Sequence, residues 1–269
     1  MSLALQVVLN GELMPAARAQ VSALSEGFLF GHGVFETIRV REGRPRLLSA
    51  HHRRLAASCA ALGLEPPSPL EELAARIGRL LASVRLPSAA VKIVRYRELA
   101  RTAELITART PPYTPADHLR GLRLNIFRQG ERDGRLTGHK TLNYLENLLA
   151  RRAAREAGAD DALFVTPAGR VLEASVANIF IVKDGLAHTP PLSAGVLPGV
   201  ARSRVLELIG PERCGERDLS IEDLHAADEC FLTNALMPVM PVCLVDGHRF
   251  AARAPEATAL RRRFLDTDD

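Results

Sequence analysis

Of the 35 basic residues in this chain only three, Lys92, Lys140 and Lys183, are lysines. Chemistry that needs a primary amine therefore has three candidates. Arginine stays charged and does not condense with a carbonyl, whereas a desolvated lysine loses its proton and attacks one. Lys140 stands out by position. It lies in Gly138-His139-Lys140-Thr141-Leu142-Asn143, where a Gly-rich polar turn meets a long helical run and a side chain can face a cleft.

Four further segments carry groups that could serve such an amine. In Gly169-Arg-Val-Leu-Glu173-Ala-Ser175-Val-Ala-Asn178-Ile-Phe180, Glu173 leads into a small polar turn and then a buried strand. Its plain structural reading is a strand-end carboxylate in solvent. A pyridine ring changes that reading, because its nitrogen stays protonated, and the ring stays an electron sink, only against a carboxylate. Leu197-Pro198-Gly199-Val200-Ala201-Arg202 places Pro and Gly just before a predicted helix, whose first N–H groups favour an anion such as phosphate. Arg54, in His51-His52-Arg53-Arg54-Leu55, could offer a planar fork to the same phosphate, although a lone helix arginine is usually solvated. Thr233-Asn234 ends a buried strand and precedes a proline-punctuated apolar run, either as a structural turn or as a pocket rim with a hydroxyl and an amide.

Other chemistries fit less well. Gly134-Arg-Leu-Thr-Gly-His139-Lys140-Thr141 invites comparison with a P-loop, but His139 stands where the phosphate wrap needs Gly. His51-His52 lacks a third ligand at suitable spacing, so no metal site is expected there. Cys59, Cys214, Cys230 and Cys243 are too far apart for paired metal ligands and are expected as buried thiols. His139 is expected to shape the turn beside Lys140.

The elements that must hold these residues follow from periodicity. Leu5–Leu9 before Asn10-Gly11 reads as a strand entering a hairpin, and Val34–Val40, a turn at Glu42-Gly43 and Pro45–Leu48 as a second hairpin. Ala50–Leu62 and Leu70–Val84 are spaced as helices, and Ala89–Tyr96 as a strand. Thr110-Pro111-Pro112-Tyr113-Thr114-Pro115 excludes regular helix or central strand and marks the domain boundary. Expected beyond it are a strand at Leu122–Phe127, a polar turn through Gly130 and Gly134, and a helix from about Leu142 to Ala157. Strands at Ala162–Val165 and Ala177–Val182, a helix near Val200–Ile209 and a final helix near Ile221–His225 follow. A strand at Glu229–Leu232 and the apolar run Met237–Val245 complete the reading. The result is two α+β domains, residues 1–115 and 122–269, joined by a linker at 116–121.

Composition bounds the rest. At 269 residues the chain can build a sizeable core. A net charge of +4 and a pI near 9.1 raise nucleic acid as a partner. The arginines, however, are spread among acidic residues and aromatics are few, which fits a basic pocket for small anions and no nucleic-acid partner. Arg151-Arg152 and Arg261-Arg262-Arg263 are expected on solvated helix faces. No apolar run reaches the ~18 residues of a membrane span, and the N-terminal residues lack a basic segment followed by an apolar core. The expected setting is soluble and cytoplasmic, with no membrane partner.

Taken in order, six blocks resemble the class IV aminotransferase family, the fold type IV pyridoxal-phosphate enzymes, over nearly the whole chain. They are Phe30-Gly31-His-Gly33-Val-Phe35-Glu36-Thr37, His51-His-Arg-Arg54-Leu55, Lys140-Thr-Leu-Asn143, Glu173 through Phe180, Leu197 through Arg202, and Thr233-Asn234. The resemblance implies a two-domain α+β fold like that of D-amino-acid and branched-chain aminotransferases, usually a homodimer, with pyridoxal 5'-phosphate between the domains. It makes Lys140 the Schiff-base lysine and Glu173 the partner of the pyridine nitrogen. Arg54, the Gly199, Val200 and Ala201 segment and Thr233 become the phosphate cup, with Asn178 and Tyr144 beside the cofactor. Arg39, Arg95, Arg97 and Asn234 are candidates for the substrate, a small anionic amine. The block from Thr233 to Val242 looks most like 4-amino-4-deoxychorismate lyases. That activity is the expectation, with a branched-chain or D-amino-acid aminotransferase as the alternative. The segment Arg95–Arg101 departs from the pattern by lacking the Gly-rich turn often found after this strand, and Ala201 lacks the hydroxyl that some relatives use on the phosphate.

Overall fold

The computed structural model describes residues 5–130, 134, 136–250 and 254–267. The reading of Met1–Ala4, the 131–133 part of the expected polar turn and Arg135 of the stretch compared with a P-loop lie outside the described residues. Contacts divide the chain into two compact units. One runs to Pro112 and takes in His139–Asn143; the other comprises Tyr113–Gly138 and Tyr144 onward.

The first unit opens with β1 (Gln6–Leu9) and β2 (Glu12–Pro15), whose turn places Asn10 at φ 51° and Gly11 at φ 88°. Both turn positions need positive φ, which Asn-Gly supplies. Then come α1 (Glu26–Phe30), β3 (Gly33–Arg41), β4 (Arg44–Pro45), α2 (Leu48–Ala61), α3 (Leu70–Val84), β5 (Ala89–Glu98) and β6 (Arg101–Arg109). The six strands form an antiparallel sheet in the order β2-β1-β6-β5-β3-β4. In α3, Leu73, Ile77, Leu80 and Leu81 make one buried stripe, and Glu71 and Glu72 favour its positive N-terminal end. That stripe and Leu55 and Cys59 of α2 cover Val34, Ile38 and Val40 of β3 and Val91 and Ile93 of β5. Alternation therefore turns Phe35, Thr37 and Arg39, with Lys92, Val94 and Tyr96, to the opposite face.

Besides α1, which the sequence reading did not include, two features of this unit depart from it. The second hairpin is shorter than expected, because Leu47 takes φ 53° and turns the chain into α2. A strand was not foreseen at all: β6 pairs with β5 over nine residues through a turn at Leu99-Ala100 that carries no Asn or Gly.

The second unit comprises α4 (Pro115–Arg120), β7 (Leu122–Arg128), α5 (Leu145–Glu156), β8 (Asp161–Val165), β9 (Arg170–Ala174), β10 (Asn178–Lys183), β11 (Leu186–Thr189) and α6 (Val200–Ile209). It continues with β12 (Cys214–Glu216), β13 (Leu219–Ser220), α7 (Ile221–Ala226), β14 (Glu229–Asn234), β15 (Met237–Val245), β16 (His248–Arg249) and α8 (Pro255–Asp266). Its sheet runs β12-β11-β10-β14-β15-β7-β8-β9-β13, with β16 on β15. Most of 116–121, read above as linker, is α4, closed by a Thr114–Asp117 capping box. The last helix is α8 rather than α7, and its Ala257, Leu260 and Phe264 pack with Val205, Phe180 and Phe231. Among the described residues no helix is long and apolar enough to cross a membrane.

Candidate active site

Lys140 is fixed by the block that opens β3. The Phe35 N–H donates to the Lys140 carbonyl at 2.8 Å, the Leu142 N–H to the Gly33 carbonyl at 2.9 Å, and Val34 bridges Thr141. Residues 140–142 thus act as a short extra strand on β3. Gly33 permits this close approach, since a Cβ there would lie 2.6 Å from both the Arg95 carbonyl oxygen and Leu142 Cδ1. The Asn143 amide donates to the Gly31 carbonyl at 3.2 Å, and His139 Nδ1 lies 3.1 Å from Ser58 Oγ. The Lys140 Nζ stands 4.5 Å from the centroid of Phe35, on the sheet face away from α2 and α3.

On the helix-covered face sits a buried cluster that the sequence reading did not assemble. Arg54 donates to Glu36 through Nε at 2.7 Å and Nη2 at 2.6 Å, and His51 Nδ1 lies 2.7 Å from the same carboxylate. Burial alone would raise the Glu36 pKa. The Arg54 charge and the hydrogen bonds from His51 and Arg54 outweigh it and hold the carboxyl at about 2. Arg54 is accordingly not a solvated helix arginine; its side chain is 13% exposed. The recoverable signal lay in spacing, because His51, Arg54, Leu55, Ser58 and Cys59 repeat at 3 and 4 along one helix face.

In the second unit, the Glu173 carboxylate is buried at the end of β9, not solvated. Its Oε2 accepts the Asn178 amide and the Leu197 N–H, each at 3.1 Å, and Asn178 also donates to the Leu197 carbonyl at 2.9 Å. Thr233 faces Asn178 across the β10–β14 pairing, and its Oγ1 is buried with no hydrogen-bond partner. The following helix, α6, begins at Gly199 without a side-chain cap, which leaves its first N–H groups to an anion.

The remaining candidates separate by face and commitment. Arg95 is buried and donates to Glu104 at 3.1 Å and to the Glu65 and Pro66 carbonyls; Arg97 donates to the Gly63 carbonyl. Both belong to the helix-covered face, so the substrate role expected of them is not supported. Arg39, on the same face as Phe35, makes one long contact of 3.5 Å to the Ala89 carbonyl, and burial followed by the Arg41 charge lowers its pKa. Asn234 closes the turn before β15, accepting from Leu236 and Met237 N–H and donating to the Val176 carbonyl. That is the structural alternative for this residue. The Tyr144 hydroxyl donates to the Ser175 carbonyl at 2.8 Å, bracing the turn after Glu173. Arg152, Arg262 and Arg263 are exposed, but Arg151 is half-buried with Nε 3.8 Å from the buried Asp161. Among the described residues, no group of three or more His, Cys, Asp or Glu side chains could hold a metal ion.

A family model described as amino-transferase class IV matches residues 33–245. A protein of Methanocaldococcus jannaschii with the provisional name branched-chain-amino-acid aminotransferase is 32% identical, covering 90% of this chain and 88% of its own. Aminodeoxychorismate lyase of Bacillus subtilis is 30% identical, covering 94% and 91%. Among solved structures, the PLP-bound form of a hypothetical aminotransferase from Mycobacterium tuberculosis superposes with a TM-score of 0.86 at 26% identity, covering 96% of each chain. The two-sheet α+β architecture is that of fold type IV.

Proposed function

Since this chain belongs to the class IV aminotransferase family and is therefore a pyridoxal-phosphate-dependent enzyme, we propose that it converts 4-amino-4-deoxychorismate to 4-aminobenzoate and pyruvate, a step of folate biosynthesis. The observation that carries this reading is the cationic face around Lys140. Phe35 bears both Lys140 and Lys92, and Arg39 lies on the same face of β3. A substrate with two carboxylates complements that charge better than a branched-chain amino acid does.

The second unit fits the cofactor. An orphaned Thr233 hydroxyl, an uncapped helix start and a Gly199 with no room for a Cβ suit a phosphate, and a buried carboxylate suits a ring nitrogen. Bound pyridoxal phosphate supplies an electron sink for the pair left when a proton leaves the carbon bearing the substrate nitrogen. The Thr233 hydroxyl and the Val200 and Ala201 N–H groups would hold the phosphate, while Arg54, expected from the resemblance in the same cup, has its guanidinium on Glu36. Asn178 and the Leu197 N–H hold the Glu173 carboxylate, which would serve as the partner of a pyridine nitrogen. Lys140 Nζ would carry the cofactor, and its amine would serve as the base that takes the proton from the carbon bearing the substrate nitrogen. The ring carbon–oxygen bond to the enolpyruvyl group would then break with its electron pair going to that oxygen, the ring would become aromatic, and the released enolpyruvate would take up a proton at its methylene carbon to give pyruvate. Arg39 holds a substrate carboxylate.

The second reading, transfer of an amine between an amino acid and a 2-oxo acid, is favoured by relatives named as branched-chain and D-alanine aminotransferases. Both readings use Lys140. The chain acts as a homodimer in either case; exposed Phe28, Leu29 and Phe30 of α1 and Leu145, Leu148 and Leu149 of α5 supply apolar area for it.

Incubating the cofactor-loaded protein with aminodeoxychorismate tests the lyase. Equal release of 4-aminobenzoate and pyruvate, lost in Lys140→Ala, is expected. No release, together with amine transfer from D- or branched-chain amino acids, would establish the aminotransferase instead.

A further inference from the structure

Two of the three lysines in the chain stand over one aromatic ring. Lys92 Nζ lies 4.2 Å and Lys140 Nζ 4.5 Å from the centroid of Phe35. The two nitrogens are therefore less than about 9 Å apart, a separation at which like charges in a half-buried site still interact appreciably. The ring attracts each cation through its quadrupole, which holds both side chains in place. It does not neutralise either.

The surroundings within this unit reinforce the repulsion. Lys92 is flanked on its own face by Thr37 and Arg39 of β3 and by Thr107 and Arg109 of β6. Burial, and after it the Arg109 charge, lowers the Lys92 pKa. Among the described carboxylates of β3 and β6, Glu36 is bound by Arg54 and His51 and Glu104 by Arg76 and Arg95, all on the helix-covered face. The next acid on this face of β5 is Glu98, six residues or about 20 Å along the strand, where it pairs with Arg101.

We propose that Lys92 is a positioning and tuning residue for Lys140: held over the same Phe35 ring, its charge makes Lys140 release its proton more readily and leaves more of it nucleophilic near neutral pH. A lysine is a poor nucleophile while protonated, and a second cation close by is one way to activate it. Two groups so close titrate as a pair, so the effect on Lys140 is read by removing the charge of Lys92.

This inference rests on Lys140 being the reacting amine, yet its test needs neither cofactor nor substrate. The full chain, prepared without pyridoxal phosphate, is trace-labelled with fluorodinitrobenzene across pH, and the three lysine peptides are quantified by mass spectrometry. Lys183, exposed and paired with Asp228 at 3.1 Å in the other unit, serves as internal reference. In Lys92→Met the Lys140 midpoint is expected to rise by about one pH unit, which lowers its labelling at neutral pH about tenfold. Lys92→Arg, which keeps the charge, is expected to leave the midpoint in place, and Lys183 is expected to titrate alike in all variants. Lys92→Gln makes the same comparison should the Met variant fold poorly. An unmoved Lys140 midpoint in the uncharged variants, or an equal shift in Lys92→Arg, overturns the proposal. Failure of the amine role itself shows separately, as pyruvate release or amine transfer by Lys140→Ala.

Discussion

Thr233 and Asn178 face each other across β14 and β10, yet their side chains have opposite fates. The Asn178 amide is committed to Glu173 and to the Leu197 carbonyl, while the Thr233 hydroxyl is buried without a partner. A buried, unmade hydrogen bond costs about 1–3 kcal/mol, so a chain that keeps one at this place gains from it only when something binds. Thr233→Val should therefore leave thermal stability without cofactor unchanged or slightly raised. Affinity for pyridoxal phosphate should fall by roughly ten- to a hundredfold, the worth of a hydrogen bond to a charged group. Melting curves and a cofactor titration on the same preparation check both halves. A lower melting temperature with unchanged affinity would assign Thr233 to structure alone.

Gly199 is held to glycine by space, not by backbone conformation. Its φ of −65° is open to any residue, but a Cβ would lie 2.0 Å from Asn178 Oδ1. Asn178 cannot swing aside without releasing Glu173. Gly199→Ala is expected to weaken cofactor binding more than tenfold with a modest loss of stability, measured by the same titration. Adding Asn178→Ala should relieve the clash without restoring affinity, because the support of Glu173 is then gone.

How much of this was legible in the chain depended on whether a residue's partner was local. The helices α3 and α6 match their expected bounds, since periodicity and terminators lie within each segment. The β5–β6 hairpin was not legible, because its Leu99-Ala100 turn lacks the residues that announce a tight turn. That omission explains the reading of Arg95. Without β6 there was no Glu104 to claim its guanidinium, and a lone strand arginine looked available for substrate. Glu173 was recognisable by its motif, but its burial depends on Leu197 and Asn178, brought together by the turn after β9 and the loop before α6. No windowed property of the sequence shows that.

Gly33 tests whether the start of β3 holds the reactive lysine. A Cβ there meets backbone at 2.6 Å and Leu142 at 2.6 Å, and the Gly33 carbonyl accepts the Leu142 N–H. Gly33→Ala must push residues 140–142 off the strand edge or move β5. Overpacking of this kind costs about 1–3 kcal/mol, and cofactor retention through gel filtration, read by absorbance, should drop as well. Gly43→Ala is the control. It is strained by φ 76° but meets nothing within 4 Å, so it should cost some stability while retaining cofactor.

Glu36 should make the first unit acid-sensitive in a predictable window. Its folded pKa of about 2 lies below the ordinary 4.5 because Arg54 and His51 outweigh the burial that opposes them. A depressed carboxylate contributes stability that is complete above its unfolded pKa and is lost as pH falls through the folded one, here between roughly pH 5 and pH 2. The contribution is on the order of 3 kcal/mol at neutral pH. Glu36→Gln removes it and leaves Arg54 buried beside an uncharged group, so the loss near pH 7 should equal or exceed that amount. Urea unfolding of both proteins from pH 7 to pH 2.5 is the measurement. The two stabilities are expected to converge as pH falls, because protonation brings the wild type toward the state in which the variant starts. Parallel curves over the whole range would mean that Glu36 is held by packing and not by its charge.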